Sequence, residues 1–277
     1  MHPTAAQAKG EVSRGITWLA RSGYAARGVV YLIVGIFAFM AGIGSGKTVG
    51  TKGAIQQLLG QPFGQTLLWI MVVGLVAYVA WRLTQAITDP EGHGTDAKGL
   101  LIRAGLVGSA VTYTLLALFT LGLLGSSIGS SGSGGGSGGG DFLSGVLGWK
   151  YSNYLIYLVA LVPLGVVIAH IIKGWKAKFE KYFYASEQVM KWIRPISRAG
   201  LIARGVAFLI VSGMLFTGGS RYEPTDPPGL EDALNALQNL PFGAFWLSLV
   251  GLGLVAFAVY SCSEAIWRRI DTPAVMN

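Results

Sequence analysis

Apolar residues run through this chain in six long blocks, near Tyr24–Gly44, Thr66–Ile87, Leu100–Gly125, Tyr154–Lys173, Gly200–Gly218 and Phe242–Ile266. Each is close to the roughly 20 residues that a helix needs to cross a hydrocarbon core of about 30 Å. In lipid only helices and closed barrels satisfy their own backbone, and these blocks lack the two-residue alternation of a barrel strand. The pattern predicts an all-α polytopic membrane protein with six transmembrane helices.

The blocks come in pairs, and the pairs repeat. The first opens with R-S-G-Y-A-A-R-G, Arg21 to Gly28, and the fifth with R-A-G-L-I-A-R-G, Arg198 to Gly205. A weaker copy, R-A-G-L-V-G-S-A, runs from Arg103 to Ala110. The connections after the first and fifth blocks both end in Pro-Phe-Gly, at Pro62–Gly64 and Pro241–Gly243. The blocks that follow read G-L-V-A-Y-V-A-W from Gly74 and G-L-V-A-F-A-V-Y from Gly253. Opening copies offset by 177 residues and closing copies offset by 179 indicate duplication. The chain divides into an N-terminal segment (1–20), unit 1 (21–97), unit 2 (98–174), a connecting segment (175–195) and unit 3 (196–270). The middle unit is degenerate. It has Ser109 where the second arginine should be, and its closing block, with Pro163 and His170, aligns only loosely.

Between the paired blocks, Ile55, Leu58 and Leu59 in unit 1 and Leu230, Leu234 and Leu237 in unit 3 fall on one face at helical spacing, which predicts short surface helices. The middle unit instead carries a Gly/Ser tract, Ser126–Gly140, expected to be mobile coil with a reach of about 20 Å. From Trp175 to Pro195, Phe179, Phe183, Val189, Trp192 and Ile193 alternate with lysines. This predicts an amphipathic helix lying on the anionic leaflet and ended by Pro195. A smaller segment of the same kind starts at Ser13.

Composition agrees. The chain is 52% hydrophobic and 12% charged, against roughly 25% charged in soluble domains. Of the 21 lysines and arginines, seventeen fall on the side of the termini, and only Lys47, Lys52, Lys150 and Arg221 on the other. That asymmetry predicts a bacterial inner-membrane protein with both termini cytoplasmic. It also accounts for much of the net charge of +8 without a nucleic-acid partner. The lone Cys262 excludes a disulfide within the chain and a cysteine metal cluster. Met1–Gly15 has no apolar core of a secretory signal, so the first span is expected to act as an uncleaved insertion signal.

The R-x-G-x-x-A-R-G opening, the Pro-Phe-Gly corner and the G-L-V-A-aromatic closing helix, arranged as three units in six spans, resemble a bacterial membrane family catalogued as domain of unknown function 1206. The resemblance runs from about Ser13 to Arg269, with the middle unit departing at Ser109 and in its glycine-rich insert. It implies a multi-pass inner-membrane protein and no activity.

Chemistry rests on few residues. Parallel two-helix units should pack around a pseudo-threefold axis along the membrane normal. If the opening helices line that axis, Arg21, Arg27, Arg103, Arg198 and Arg204 form a cluster suited to the phosphate of an anionic lipid headgroup. The competing readings are arginines that snorkel to the headgroups, or that cap carbonyls of a neighbouring unit. At the ends of the closing helices Gln85, Lys173 and Glu264 align, as do Arg82, His170 and Ser261. Inter-unit polar contacts are expected there, Lys173 with Glu264 among them. Ser109 and Thr112 are candidate axial polar residues. Gly35, Gly105, Gly108, Gly213, Gly251 and other small residues fit close helix packing. A single histidine within the spans gives no haem or metal site, and no serine has a His/Asp setting, so no cofactor and no catalytic centre are expected. The sequence thus points to a scaffold, an accessory subunit of an unidentified membrane protein, or an anionic-lipid-binding protein. The alternative is a small-solute transporter or channel.

Overall fold

The computed structural model describes residues 5–127, 152–218 and 229–270. Among them there is no strand, and eight α-helices follow in order. These are α1 (Ala5–Gly42), α2 (Thr51–Leu59), α3 (Gly64–Thr88), α4 (Ala97–Ser127), α5 (Ser152–Trp175), α6 (Glu187–Gly218), α7 (Leu230–Gln238) and α8 (Gly243–Trp267). Among the described residues, five helices are long and apolar enough to cross a membrane: those over Arg14–Gly42, Gly64–Thr88, Ala97–Gly125, Glu187–Thr217 and Gly243–Trp267. The remaining expected span falls in α5, of which Pro163–Trp175 is a shorter apolar stretch. From residue 128 on, the Gly/Ser tract lies outside the described residues.

The long helices touch in a closed order. α1 packs on α3, α3 on α4, α4 on α5, α5 on α6, α6 on α8, and α8 back on α1, the most extensive contact of all. Tyr24, Val34, Leu68, Leu75, Tyr78, Leu201, Leu254 and Phe257 fill the interior. Outward-facing positions are apolar too, with Ile70, Val73, Leu101, Ile168, Leu209 and Leu252 exposed. Helices apolar on both faces suit lipid rather than water.

Pro-Phe-Gly turns out to be a corner of fixed geometry. Phe63 and Phe242 cap the starts of α3 and α8 in the left-handed region, at φ 61° and 59°, a conformation costing a non-glycine residue roughly 1–2 kcal/mol. A Cβ on Gly64 would lie 2.1 Å from the Leu59 carbonyl oxygen, and one on Gly243 would lie 2.0 Å from that of Gln238. Only glycine lets the chain turn so tightly from the short helix into the span. The short helices α2 and α7 bury the predicted faces, with Ile55, Leu230, Leu234 and Leu237 inside. The connection leading into α2 is tied to α7, with Gly50 N–H donating to Glu231 Oε2 at 3.2 Å and the Thr48 hydroxyl donating to Asn235 Oδ1.

The segment 175–195 departs from expectation. It is not one surface helix. The chain leaves α5 at Trp175, turns through a short 3₁₀ element at Glu180–Tyr182, and enters α6 at Glu187. Pro195 lies inside α6 rather than at its end. The buried face of Met190, Ile193, Ser197 and Leu201 runs through it at three- and four-residue spacing. Continuous burial on that face outweighs the one backbone bond that the proline removes. Phe179 is fully buried rather than interfacial, with its ring 5.6 Å from Tyr260. The end of this connection is pinned to the end of α8, with Tyr184 N–H donating to Trp267 O and Arg269 N–H to Tyr182 O.

Candidate functional site

The two arginines of each opening motif have different fates. In units 2 and 3 the first caps a preceding helix, and where a second is present it lies about 9 Å along the helix from the first, at 1.5 Å per residue. Arg103 donates from Nε to Ala86 O at 2.6 Å and from Nη2 to Ile87 O at 3.0 Å, at the end of α3. Arg198 does the same at the end of α5, donating to Gly174 O and Trp175 O, both at 3.1 Å. A guanidinium placed on terminal carbonyls satisfies orphan acceptors and complements the helix dipole. The matching residue of unit 1, Arg21, is exposed.

The second arginine is buried in the interface with the neighbouring unit. Arg27 is 4% exposed. Its Nε donates to Ser261 Oγ at 3.0 Å, Nη1 to Tyr78 Oη at 2.8 Å and Nη2 to Glu264 Oε2. Arg204 donates from Nε to Tyr31 Oη at 3.0 Å and from Nη1 to His170 Nε2 at 2.5 Å. His170 Nδ1 lies 2.8 Å from Val166 O, so the ring carries its proton on Nδ1 and accepts at Nε2. The two guanidiniums sit over one ring, 5.1 and 4.6 Å from the Phe257 centroid. Arg27 and Arg204 are thus brought together, while Arg21, Arg103 and Arg198 remain at the rim.

Around Arg27 the polar groups close into a ring. Arg82 Nη1 donates to Gln85 Oε1 at 2.9 Å, and Gln85 Nε2 to Glu91 Oε1 at 2.7 Å. Arg268 Nη2 donates to the same Glu91 oxygen at 2.5 Å, and its Nη1 to Glu264 Oε1. Glu264 then bonds Arg27, Arg27 bonds Tyr78, and Arg82 returns to Tyr78. The expected Lys173–Glu264 pair does not form, because Arg27 and Arg268 occupy both oxygens of Glu264. Ser109 is half-buried on α4, and Thr112 is exposed and bonded back to Gly108 O, so Thr112 lines no interior surface. Glu91, Arg268 and Tyr78 were not foreseen as members. Two come from a loop and a helix end, where sequence spacing carries no signal.

The glycines record the same repeat. A Cβ on Gly23 would lie 2.6 Å from Tyr78 Cα, and one on Gly200 would lie 2.3 Å from Phe257 N, where each unit's own two helices cross. Gly28 meets Cys262 and Ser261 as Gly205 meets the aligned Ile171 and His170, across neighbouring units. Gly35, Gly42 and Gly251 bring α1 and α8 into backbone contact. Gly105 and Gly213 do not take the packing role expected of them, since no described atom lies within 4 Å of a Cβ placed there.

A family model described as Domain of Unknown Function (DUF1206) matches this chain three times, over residues 22–89, 104–177 and 199–268. The chain belongs to the DUF1206 family. The family model thus repeats three times along the chain, as the opening motif does. An uncharacterized protein, YxxB of Bacillus subtilis (strain 168), is 32% identical over 266 residues, covering 95% of this chain and 94% of that protein. No solved structure matches.

In this DUF1206 chain the loop member of the ring also predicts a pH response. Burial pushes the Glu91 carboxyl up, but the Arg268 and Lys173 charges and the Arg268 hydrogen bond more than offset it, holding it below its ordinary 4.5. A carboxyl lowered by folding stabilises the fold above its unfolded value, and that contribution is lost as pH falls through the folded value. The melting temperature of the wild type is therefore expected to exceed that of Glu91→Gln at neutral pH. The gap should narrow only below about pH 4.5, measured by thermal unfolding in detergent. A gap that persisted unchanged to pH 3 would rule out this role.

Proposed function

We propose that this is an integral protein of the bacterial inner membrane with six transmembrane helices and both termini cytoplasmic, its three units arranged around a pseudo-threefold axis. It acts without catalysis, as a scaffold or accessory subunit for another membrane protein, and gathers anionic lipid headgroups on its cytoplasmic face. The closed order of helix contacts and the equivalent glycine contacts of units 1 and 3 support the axis.

The division of labour among the cations carries this reading. Arg27, Arg204, Arg103 and Arg198 are engaged inside the bundle or on helix ends, as a rigid support requires. Arg21, Lys176, Lys178, Lys181 and Lys191 stay exposed at the same end. Each such cation near an anionic leaflet contributes about 1 kcal/mol. Replacing Lys176, Lys178, Lys181 and Lys191 together with glutamine is expected to lower the enrichment of phosphatidylglycerol around the protein several-fold. Native mass spectrometry from mixed-lipid nanodiscs reads this, and unchanged enrichment would sink the lipid-gathering role.

One observation favours the transporter reading. In units 1 and 3 the opening and closing helices cross at a glycine, but Gly105 and Gly165 of the middle unit have no described atom within 4 Å. The aligned positions explain it in part, since Val162 and Val166 stand where the other units have Gly74 and Tyr78, or Gly253 and Phe257. Solute flux into proteoliposomes that depends on the protein would move the assignment to transport.

A further inference from the structure

The polar ring has more positive charge than its own carboxylates can balance. Arg27, Arg82 and Arg268 share two carboxylates, Glu91 and Glu264. Lys173 lies within electrostatic reach of Arg268, Glu264, Glu91 and Arg82, and donates no hydrogen bond among the described residues. Both Glu264 oxygens are taken, and Glu91 Oε1 accepts from Gln85 and Arg268 together. Beyond the ring, Arg204 has tyrosine and histidine partners but no carboxylate among the described residues. A buried excess of this kind is expensive unless a further anion compensates it.

Two guanidinium donors of the ring are unused. Arg82 Nε and Arg268 Nε are both buried with no acceptor among the described residues. The Arg268 side chain is only 3% exposed. The two guanidiniums lie over the same ring, 5.9 and 5.3 Å from the Tyr24 centroid. Arg82 and Lys173 are half-buried, so the charge cluster reaches the surface at the arginine-rich end. The repeat gives a second reason. Lys173 stands where unit 3 has Glu264, so the position that carries a neutralising carboxylate in one unit carries another cation in the next.

We propose that Arg82, Arg268 and Lys173 form a binding site for a phosphoryl anion inside the arginine-rich end of the bundle. This goes beyond the lipid-gathering rim, which uses exposed lysines. Two unused guanidinium N–H donors and an ammonium in the same charge cluster call for a group with several acceptor oxygens and one or two negative charges. A phosphoryl group meets both requirements, and the guanidinium edge matches its oxygens. The phosphoryl group belongs either to a lipid headgroup or to free phosphate.

The test uses the full chain in phosphatidylcholine nanodiscs, with thermal unfolding read during titration with inorganic phosphate against chloride at equal ionic strength. A second arm replaces part of the lipid with phosphatidylglycerol. Stabilisation by phosphate assigns the site to the free anion, and stabilisation by phosphatidylglycerol alone assigns it to the headgroup. Either result supports the site. Arg82→Gln and Lys173→Gln should each weaken the response about tenfold, the loss of one charge-assisted bond. Arg82→Lys, which keeps the charge but lacks the Nε donor, serves where the glutamine variant does not fold. The variant lacking the four rim lysines should respond as wild type does. No stabilisation of the wild type in either arm overturns the proposal. So does a response that the rim variant loses and the Arg82 and Lys173 variants keep.

Discussion

Glu264→Ala is expected to destabilise the folded bundle by about 3–5 kcal/mol, the usual consequence of stranding a buried charge. The carboxylate is 3% exposed and bonds two arginines at once, Arg27 from α1 and Arg268 beyond α8. Truncation removes both acceptors and leaves two guanidiniums facing each other in a medium that screens poorly. Tyr78, Ser261 and Glu91 still accept from them, but only Glu91 carries charge. Glu264→Gln should cost less, because the amide oxygen can still accept one of the bonds. Equilibrium unfolding in mixed micelles would measure the difference. A loss under 1 kcal/mol for the alanine variant would mean that solvent or lipid already satisfies the arginines.

The second large effect separates two glycines that the repeat makes equivalent. Gly200→Ala would put a Cβ 2.3 Å from Phe257 N and 2.6 Å from Ala256 C, which are backbone atoms that cannot rotate away. The helices must then separate, at a cost of about 3 kcal/mol or more, the upper range for overpacking. Gly105→Ala meets no described atom within 4 Å. Its effect should lie within about 0.5 kcal/mol of zero, and the better helix propensity of alanine favours a small gain. Thermal unfolding of both variants reads this contrast. Equal losses would mean that α4 and α5 pack as closely as the paired helices of the other units.

The two substitutions also mark how far the sequence could be read. Five of the spans, the threefold repeat and the Pro-Phe-Gly corner were legible because each depends on local spacing repeated along the chain. The buried faces of α2 and α7 were legible for the same reason. The separate fates of the motif arginines were not. Arg198 and Arg204 look alike in sequence, yet a six-residue step places the first on helix-end carbonyls and the second deep in an interface. Glu91 and Arg268 were missed because they reach the ring from outside the spans, through contacts of long sequence separation. Pro195 was misread because a proline's local cost is visible in sequence, whereas the continuous burial of Ile193, Ser197 and Leu201 around it is not.

The central claim is that the second arginine of the motif binds the neighbouring unit rather than the lipid headgroups. A double-mutant cycle between Arg27→Met and Glu264→Gln tests it most directly, since contributions of Arg268 to the single variants cancel in the coupling term. A buried ion pair across the α1–α8 interface predicts a coupling energy of about 2 kcal/mol in unfolding measurements. Additivity within about 0.5 kcal/mol, as expected of an arginine whose guanidinium lies among headgroups, would contradict it.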